Sequence, residues 1–370
     1  MSGLSLYTLH PADGAETLNF HFGRQGIGLE EASETLSSDS LFAALVAQAV
    51  LRAGTRLDAH GAPMFARPFV EGEPPFLISS LFPRLGSLPL LPRPLMKLQV
   101  AEQLRTTIGK GFKKLRYLSP ALFATVCCGA QIDEEPIIMQ EGKVWISRNE
   151  AATLPAAWAQ GSHHESQGGW WKRLSGQKIW QIEALPHVTI DRASSSSAYY
   201  EVGRVTYAPG AGLALLVRFS DAAAQPEFER LLSLLSESGL GGRRSSGYGA
   251  FRWVREQDVE LNLGQPGRRA LLLSRYIPQP AELPALRSER AAYQLVRVGG
   301  WFYSPGRATQ RRKRVMMVAE GALLDTEAAP VRGAVVDVRP DATTGGPAVS
   351  HPVYRSGLAL TIPLPDQGGA

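Results

Sequence analysis

Two stretches of the chain carry apolar residues at helical spacing. In SSDSLFAALVAQAVLRAG (37–54), Leu41, Phe42, Leu45, Ala49 and Val50 fall three and four apart, which predicts a helix with one buried face. Ser37 or Ser38 caps its start, Asp39 complements the helix dipole, and Gly54 ends it. In PEFERLLSLLSESG (226–239), Phe228, Leu231, Leu232 and Leu235 form the second such face. Strand-like runs flank both helices: 3–9, a piece within 20–29, HVTIDR (187–192), two runs around the turn APGAG (198–219), and AFRWV (250–254). The order strand, helix, strand, strand, helix, strand predicts a ferredoxin-like unit, with both helices on one face of an antiparallel sheet.

Residues 55–186 break this regularity. They are rich in Pro and Gly and read as a long insertion. Within it lie an apolar hairpin at about 76–94, a basic run IGKGFKKLRYLS, and a polar link around His163 and His164. The C-terminal third is strand-rich, with helix signal only at about 280–290, and reads as a second, degenerate ferredoxin-like domain. The expected class is therefore α+β: two ferredoxin-like (RRM-like) domains, 1–256 and 257–370, the first with its insertion at about 55–186 carrying a β-hairpin thumb.

Charge adds a partner class. The 370 residues carry a net charge of +5 and a pI near 9.2, which permits a polyanionic partner without demanding one. The cations cluster: Lys110, Lys113, Lys114 and Arg116; Arg243 and Arg244; Arg311, Arg312, Lys313 and Arg314. Cys127 and Cys128 are neighbours, a spacing unsuited to an unstrained disulfide and too few for a zinc site; they are expected as small buried residues of a helix. No run approaches the roughly 18 apolar residues of a membrane span. The N-terminal residues lack a signal-peptide pattern, so the expected location is the cytoplasm.

The stretch SGLGGRRSSGYGAF (238–251) packs five glycines, three serines and two arginines between a helix and a strand. It lacks the Lys-Ser/Thr pair of a nucleotide P-loop, and it precedes a strand where a dinucleotide fingerprint opens a helix. Two readings stay open: a helix cap with a loose turn, or a cradle whose amides and arginines meet an anion, with Tyr248 as a stacking ring. His21 alternates with its Phe neighbours and is either a structural hydrogen-bonding group or a general base. RRKR (311–314) reads as the charged end of an edge strand. No metal-ligand spacing, nucleophile elbow or carboxylate cluster appears, so no cofactor is expected.

Six segments in order, FHFGRQGIGLEEASETLSSDSLFAAL, LPRPLMKL, GFKKLRYLS, HVTIDR, GLGGRRSSGYGAF and HPVYRSGLALTIPL, resemble the RAMP superfamily of CRISPR-associated proteins. Within it, the chain is similar to the type III-A (Csm) effector-complex subunit that binds the 5′ handle of CRISPR RNA. The resemblance implies a non-catalytic RNA-binding protein, one copy per complex, docked on the large polymerase/cyclase-like subunit and abutting the first backbone RAMP subunit. It implies RNA contacts at His21, Ser38, Lys97, Lys113, Lys114 and Arg192. The same role falls to the glycine-rich loop: Gly239, Gly241, Gly242, Arg243, Arg244, Ser245, Ser246, Gly247, Tyr248 and Gly249. It also implies a thumb at about 76–94 that wedges into the guide–target duplex. The rival reading is a metal-independent endonuclease of CRISPR precursor RNA, using His21 as base with Lys113 or Arg243.

Overall fold

The computed structural model describes residues 3–23, 28–155, 158, 170–191, 196–302, 310–340 and 349–366. Its main sheet grows around two central strands, Ser5–Pro11 and Ala211–Phe219, which pair antiparallel with Leu9 opposite Leu213. Most of their residues are buried, as expected for strands covered on both faces. Phe251–Arg255 closes one side, pairing with the opening strand. On the other side, Phe76–Ile78 and Phe82–Leu85 both pair with Ala211–Phe219, and Leu88–Pro89 follows as the edge. All these pairings are antiparallel.

Helices Ser38–Leu51 and Gln225–Ser238 pack against each other. The second buries Phe228, Leu231, Leu232 and Leu235, all four of the expected face. Phe228 sits edge-on to Tyr7, whose hydroxyl reaches Glu229 at 2.8 Å. The first helix buries Leu41, Phe42, Leu45 and Ala49, while Val50 lies outside that face.

Two expectations are corrected here. The apolar hairpin at about 76–94 is part of the main sheet and its core: Phe76, Leu81, Phe82, Leu85, Leu90 and Leu91 are all buried, so they have no surface with which to wedge into a duplex. The strand expected at 187–192 belongs elsewhere. Trp180–Ile190 and Ser197–Tyr207 form one long hairpin, continued by Asn19–Phe20 as a separate sheet. The strand that completes the main sheet thus comes from the region read as insertion.

The rest of that region is regular too. Leu91–Pro92, Tyr117–Leu118, Val144–Ile146 and Ile137–Met139 build a four-stranded sheet, joined by short helices such as Pro120–Cys127. Cys127 is buried as expected, but Cys128, just past the helix, is exposed. The C-terminal third forms small antiparallel sheets: Leu323–Asp325, Arg269–Leu272 and Thr361–Leu364; Leu295–Val298 with Val315–Val318; Trp301–Phe302 with Gln310–Arg311; and Val335–Asp337 with Tyr354–Ser356. The helix signal near 280–290 corresponds to a 3-10 turn Pro280–Glu282 and the helix Leu283–Arg287. Among the described residues, no helix is long and apolar enough to cross a membrane.

Candidate nucleic-acid interface

The glycine-rich loop starts where helix Gln225–Ser238 ends. Gly239, Gly241, Gly247 and Gly249 take positive φ, and so does Arg243 at 57°, an uncommon state for a residue with a Cβ. The loop is closed by its own backbone: the Leu240 amide donates to the Gly249 carbonyl at 2.9 Å. A Cβ on Gly249 would lie 2.2 Å from the Leu240 oxygen, so no other residue fits this closure. Two further bonds lay the loop on the start of the chain, Gly242 amide to His21 carbonyl (2.9 Å) and Gly249 amide to Asn19 carbonyl (3.0 Å).

Closure sorts the loop into a floor and a rim. Gly239, Leu240, Tyr248 and Gly249 are buried, whereas Gly241, Gly242, Arg244, Ser245, Ser246 and Gly247 are exposed and Arg243 is half-buried. The expected stacking role of Tyr248 is therefore corrected, because folding back tucks its ring beneath the loop. The rim carries a 3-10 turn over Arg244–Ser246, and the first amides of such a turn have no partner within it. Two arginines, two serine hydroxyls and these amides form a cationic, donor-rich edge.

His21 is a strut under that edge. Its ring is buried, with Nδ1 2.6 Å from the Gly203 carbonyl oxygen. A Cβ on Gly242 would come within 2.7 Å of the ring, so loop and imidazole lie in close contact. A general base needs an open approach to a 2′-hydroxyl; here the imidazole is covered by the loop it supports. Gly203 is the pivot beneath: its amide donates to Leu29 (2.7 Å), and a Cβ there would lie 2.6 Å from the Glu30 carbonyl oxygen. Nearby, Glu34 accepts from Tyr117 (3.2 Å) and Arg116 (3.1 Å), while the Tyr207 hydroxyl donates to the Glu34 carbonyl. Burial raises both phenol pKa values, with the Glu34 charge adding to it, so the two hydroxyls stay protonated donors. This anchors the segment before the first helix to the hairpin base.

The long hairpin brings residues that no sequence signal singled out. Its Tyr200 ring stacks on His187 with centroids 5.5 Å apart, and the Arg243 guanidinium lies 5.0 Å from the Tyr200 centroid. Arg243 and the Tyr200 hydroxyl are also 3.4 Å apart. The opposite face of the distal hairpin is apolar and open: Val188 pairs with Tyr199, and Val188, Ile190 and Tyr199 are 59, 67 and 65% exposed. Alternation alone produces the two faces.

The other expected contacts scatter. Lys97, Lys113 and Lys114 are exposed, and among the described residues none of them makes a hydrogen bond or ion pair with the loop. Arg192 lies outside the described residues, as do His163 and His164. Ser38 is buried: its hydroxyl accepts from the Arg275 amide and its amide donates to the Ser80 hydroxyl, each at 2.9 Å, so it ties the first helix to the C-terminal third. Asp39, read as a first-turn residue, also makes a fully buried ion pair with Arg355. Among the described residues, no group of three or more His, Cys, Asp and Glu is placed to hold a metal.

Comparison with known proteins shows what the chain is similar to. Residues 265–364 match the CRISPR Csm4 C-terminal domain. The CRISPR system Cms protein Csm4 of Mycobacterium tuberculosis (strain CDC 1551 / Oshkosh) is 31% identical over 171 residues, covering 45% of this chain and 52% of that protein. The Streptococcus thermophilus protein of the same name is 27% identical over 169 residues, 43% and 54% respectively. The matched segment thus spans about half the length of the curated relatives. In fold, the chain aligns over 98% of its length with all of a chain from the Csm3–Csm4 subcomplex of the type III-A CRISPR-Cas interference complex (TM-score 0.58, 15% identity). A chain of the Csm1–Csm4 cassette in complex with cA4 aligns over 99% of both chains (TM-score 0.54, 14% identity). The mixed α+β architecture is shared with these structures. In sequence the chain is thus similar to Csm4 proteins over part of its length, and in fold it is similar over nearly all of it to chains of the Csm3–Csm4 and Csm1–Csm4 assemblies.

Proposed function

We propose that this chain is the non-catalytic subunit that caps a type III-A guide RNA by gripping its 5′ handle. It docks on the large polymerase/cyclase-like subunit and abuts the first backbone RAMP subunit, one copy per complex, in the cytoplasm. It has two ferredoxin-like domains, 1–256 and 257–370, and the Csm4 C-terminal match at 265–364 supports that division. The observation that carries the reading is the glycine-rich rim, where Arg243, Arg244, Ser245 and Ser246 stand exposed or half-exposed beside an aromatic stack. Single-stranded RNA is held by such combinations of donors, cations and rings. The wedge into the guide–target duplex falls to the hairpin Trp180–Ile190/Ser197–Tyr207, whose open apolar face suits unstacking a base pair.

Purification from the host with sequencing of bound RNA tests the proposal. Guides sharing one 5′ end, together with a large multidomain partner, are the expected result. RNA without a common 5′ end, or none, overturns it.

A further inference from the structure

A second basic surface lies on the C-terminal third. There Leu295–Val298 pairs with Val315–Val318 and, past Gly299 and Gly300, Trp301–Phe302 pairs with Gln310–Arg311. Trp301 is 57% exposed, and the Arg311 guanidinium lies 4.9 Å from its ring centroid. Arg297, directly opposite Met316, is exposed, as are Met316 and Arg314. Among the described residues, Arg297, Arg311 and Arg314 pair with no carboxylate. Their neighbour Arg312 behaves differently. It turns inward to donate to the Gly299 carbonyl at 2.9 Å, and burial beside Arg355 lowers its pKa to about 9.

An edge strand protected only against aggregation needs charge, not a large open indole. A tryptophan with a cation on its face and two more unpaired arginines along the same hairpin is a platform for a base flanked by phosphates. Arg297 and Trp301 are four residues apart across the Gly299–Gly300 break, at most about 14 Å by chain reach, room for no more than a few nucleotides. We infer that this hairpin is a second single-stranded RNA contact, with Trp301 stacking a base and Arg297, Arg311 and Arg314 meeting phosphates. The inference rests on the reading of the chain as an RNA-binding subunit, and it uses residues that no part of the proposed handle grip contains.

The test is a salt titration of the full chain with a fluorescein-labelled, uridine-rich single-stranded RNA, with circular dichroism as the fold check. Replacing Arg297, Arg311 and Arg314 together by alanine flattens the slope of log affinity against log salt by about 2, near 0.7 per lost phosphate contact. Trp301→Ala weakens binding roughly five- to 150-fold, the range for one base–aromatic stack, and Trp301→Phe restores most of it. In parallel, 4-thiouridine cross-links map to peptides containing 297–316. Unchanged slope, affinity and cross-links in the patch variants, with binding abolished by Arg243→Ala/Arg244→Ala, overturn the inference and leave the handle grip standing; the patch then meets an acidic protein surface or water. Failure of the wild-type chain to bind RNA at all sinks both.

Discussion

Two hairpins in this protein both carry apolar residues and are opposite in fate. Phe76–Pro89 is consumed by the main sheet, with Leu85 fully buried against its neighbours. The hairpin Trp180–Tyr207 has a free end, where Val188, Ile190 and Tyr199 face outward. Apolar character is therefore no guide to a wedge. What separates the two is whether a long, already formed strand is available to pair with, and Ala211–Phe219 claims only the first.

The sharpest way to break this contrast is to truncate each hairpin. Phe76→Ala should cost about 3–5 kcal/mol in urea unfolding, the range for emptying a core aromatic site. Val188→Ala with Ile190→Ala should stay within about 0.5 kcal/mol per site, because exposed positions lose little packing. A comparable loss in both would mean that the second hairpin is not free. Nearly as large, Asp39→Asn should cost about 3–5 kcal/mol by leaving Arg355 buried without its charge partner, and replacing both residues by apolar ones of similar volume should recover much of it. Next, Tyr200→Ala should weaken handle RNA binding by about 1–3 kcal/mol, while Arg243→Ala/Arg244→Ala should lower its salt slope by about 1.4; neither should move the unfolding midpoint appreciably.

The smallest effect concerns pH, and it belongs to the main sheet that holds the buried hairpin. His10, on the opening strand, has its pKa lowered to about 4 by burial and by the nearby charges of Arg84 and Arg252. The unfolded chain, near 6.5, binds that proton first. Stability is therefore complete above pH 6.5, falls as pH drops from there toward 4, and flattens below. His10→Gln should reduce the drop in thermal midpoint between pH 7 and 4.5, whereas substitutions in the free hairpin should leave that drop intact.

How much of this was readable depends on how local the cause is. The buried face of helix Gln225–Ser238 could be read to the residue because its four core positions lie within one amphipathic repeat. The loop at 239–249 announced itself by glycine density, since backbone closure is a local demand. Other features depended on distant pairings. The apolar hairpin at about 76–94, broken by prolines at 83, 89 and 92, read as a protruding thumb because its pairing partner Ala211–Phe219 lies over a hundred residues away, and Pro186 hid the start of the long hairpin. Tyr200 meets Arg243 across 43 residues, a contact with no signature in either segment. Tyr248 looked exposed among polar neighbours until the closure bond turned it inward.

The Asp39–Arg355 pair spans 316 positions of the chain. During synthesis, the first helix emerges long before the guanidinium that neutralises its buried carboxylate. The opening strand likewise waits for 211–219 and 251–255 before it has neighbours. Native packing of the amino-terminal half is thus contingent on translation reaching the last strands. A ribosome that stalls before codon 355 would release a chain with an uncompensated charge at its centre, conspicuous to proteolytic surveillance, so only finished copies would persist to enter an assembly.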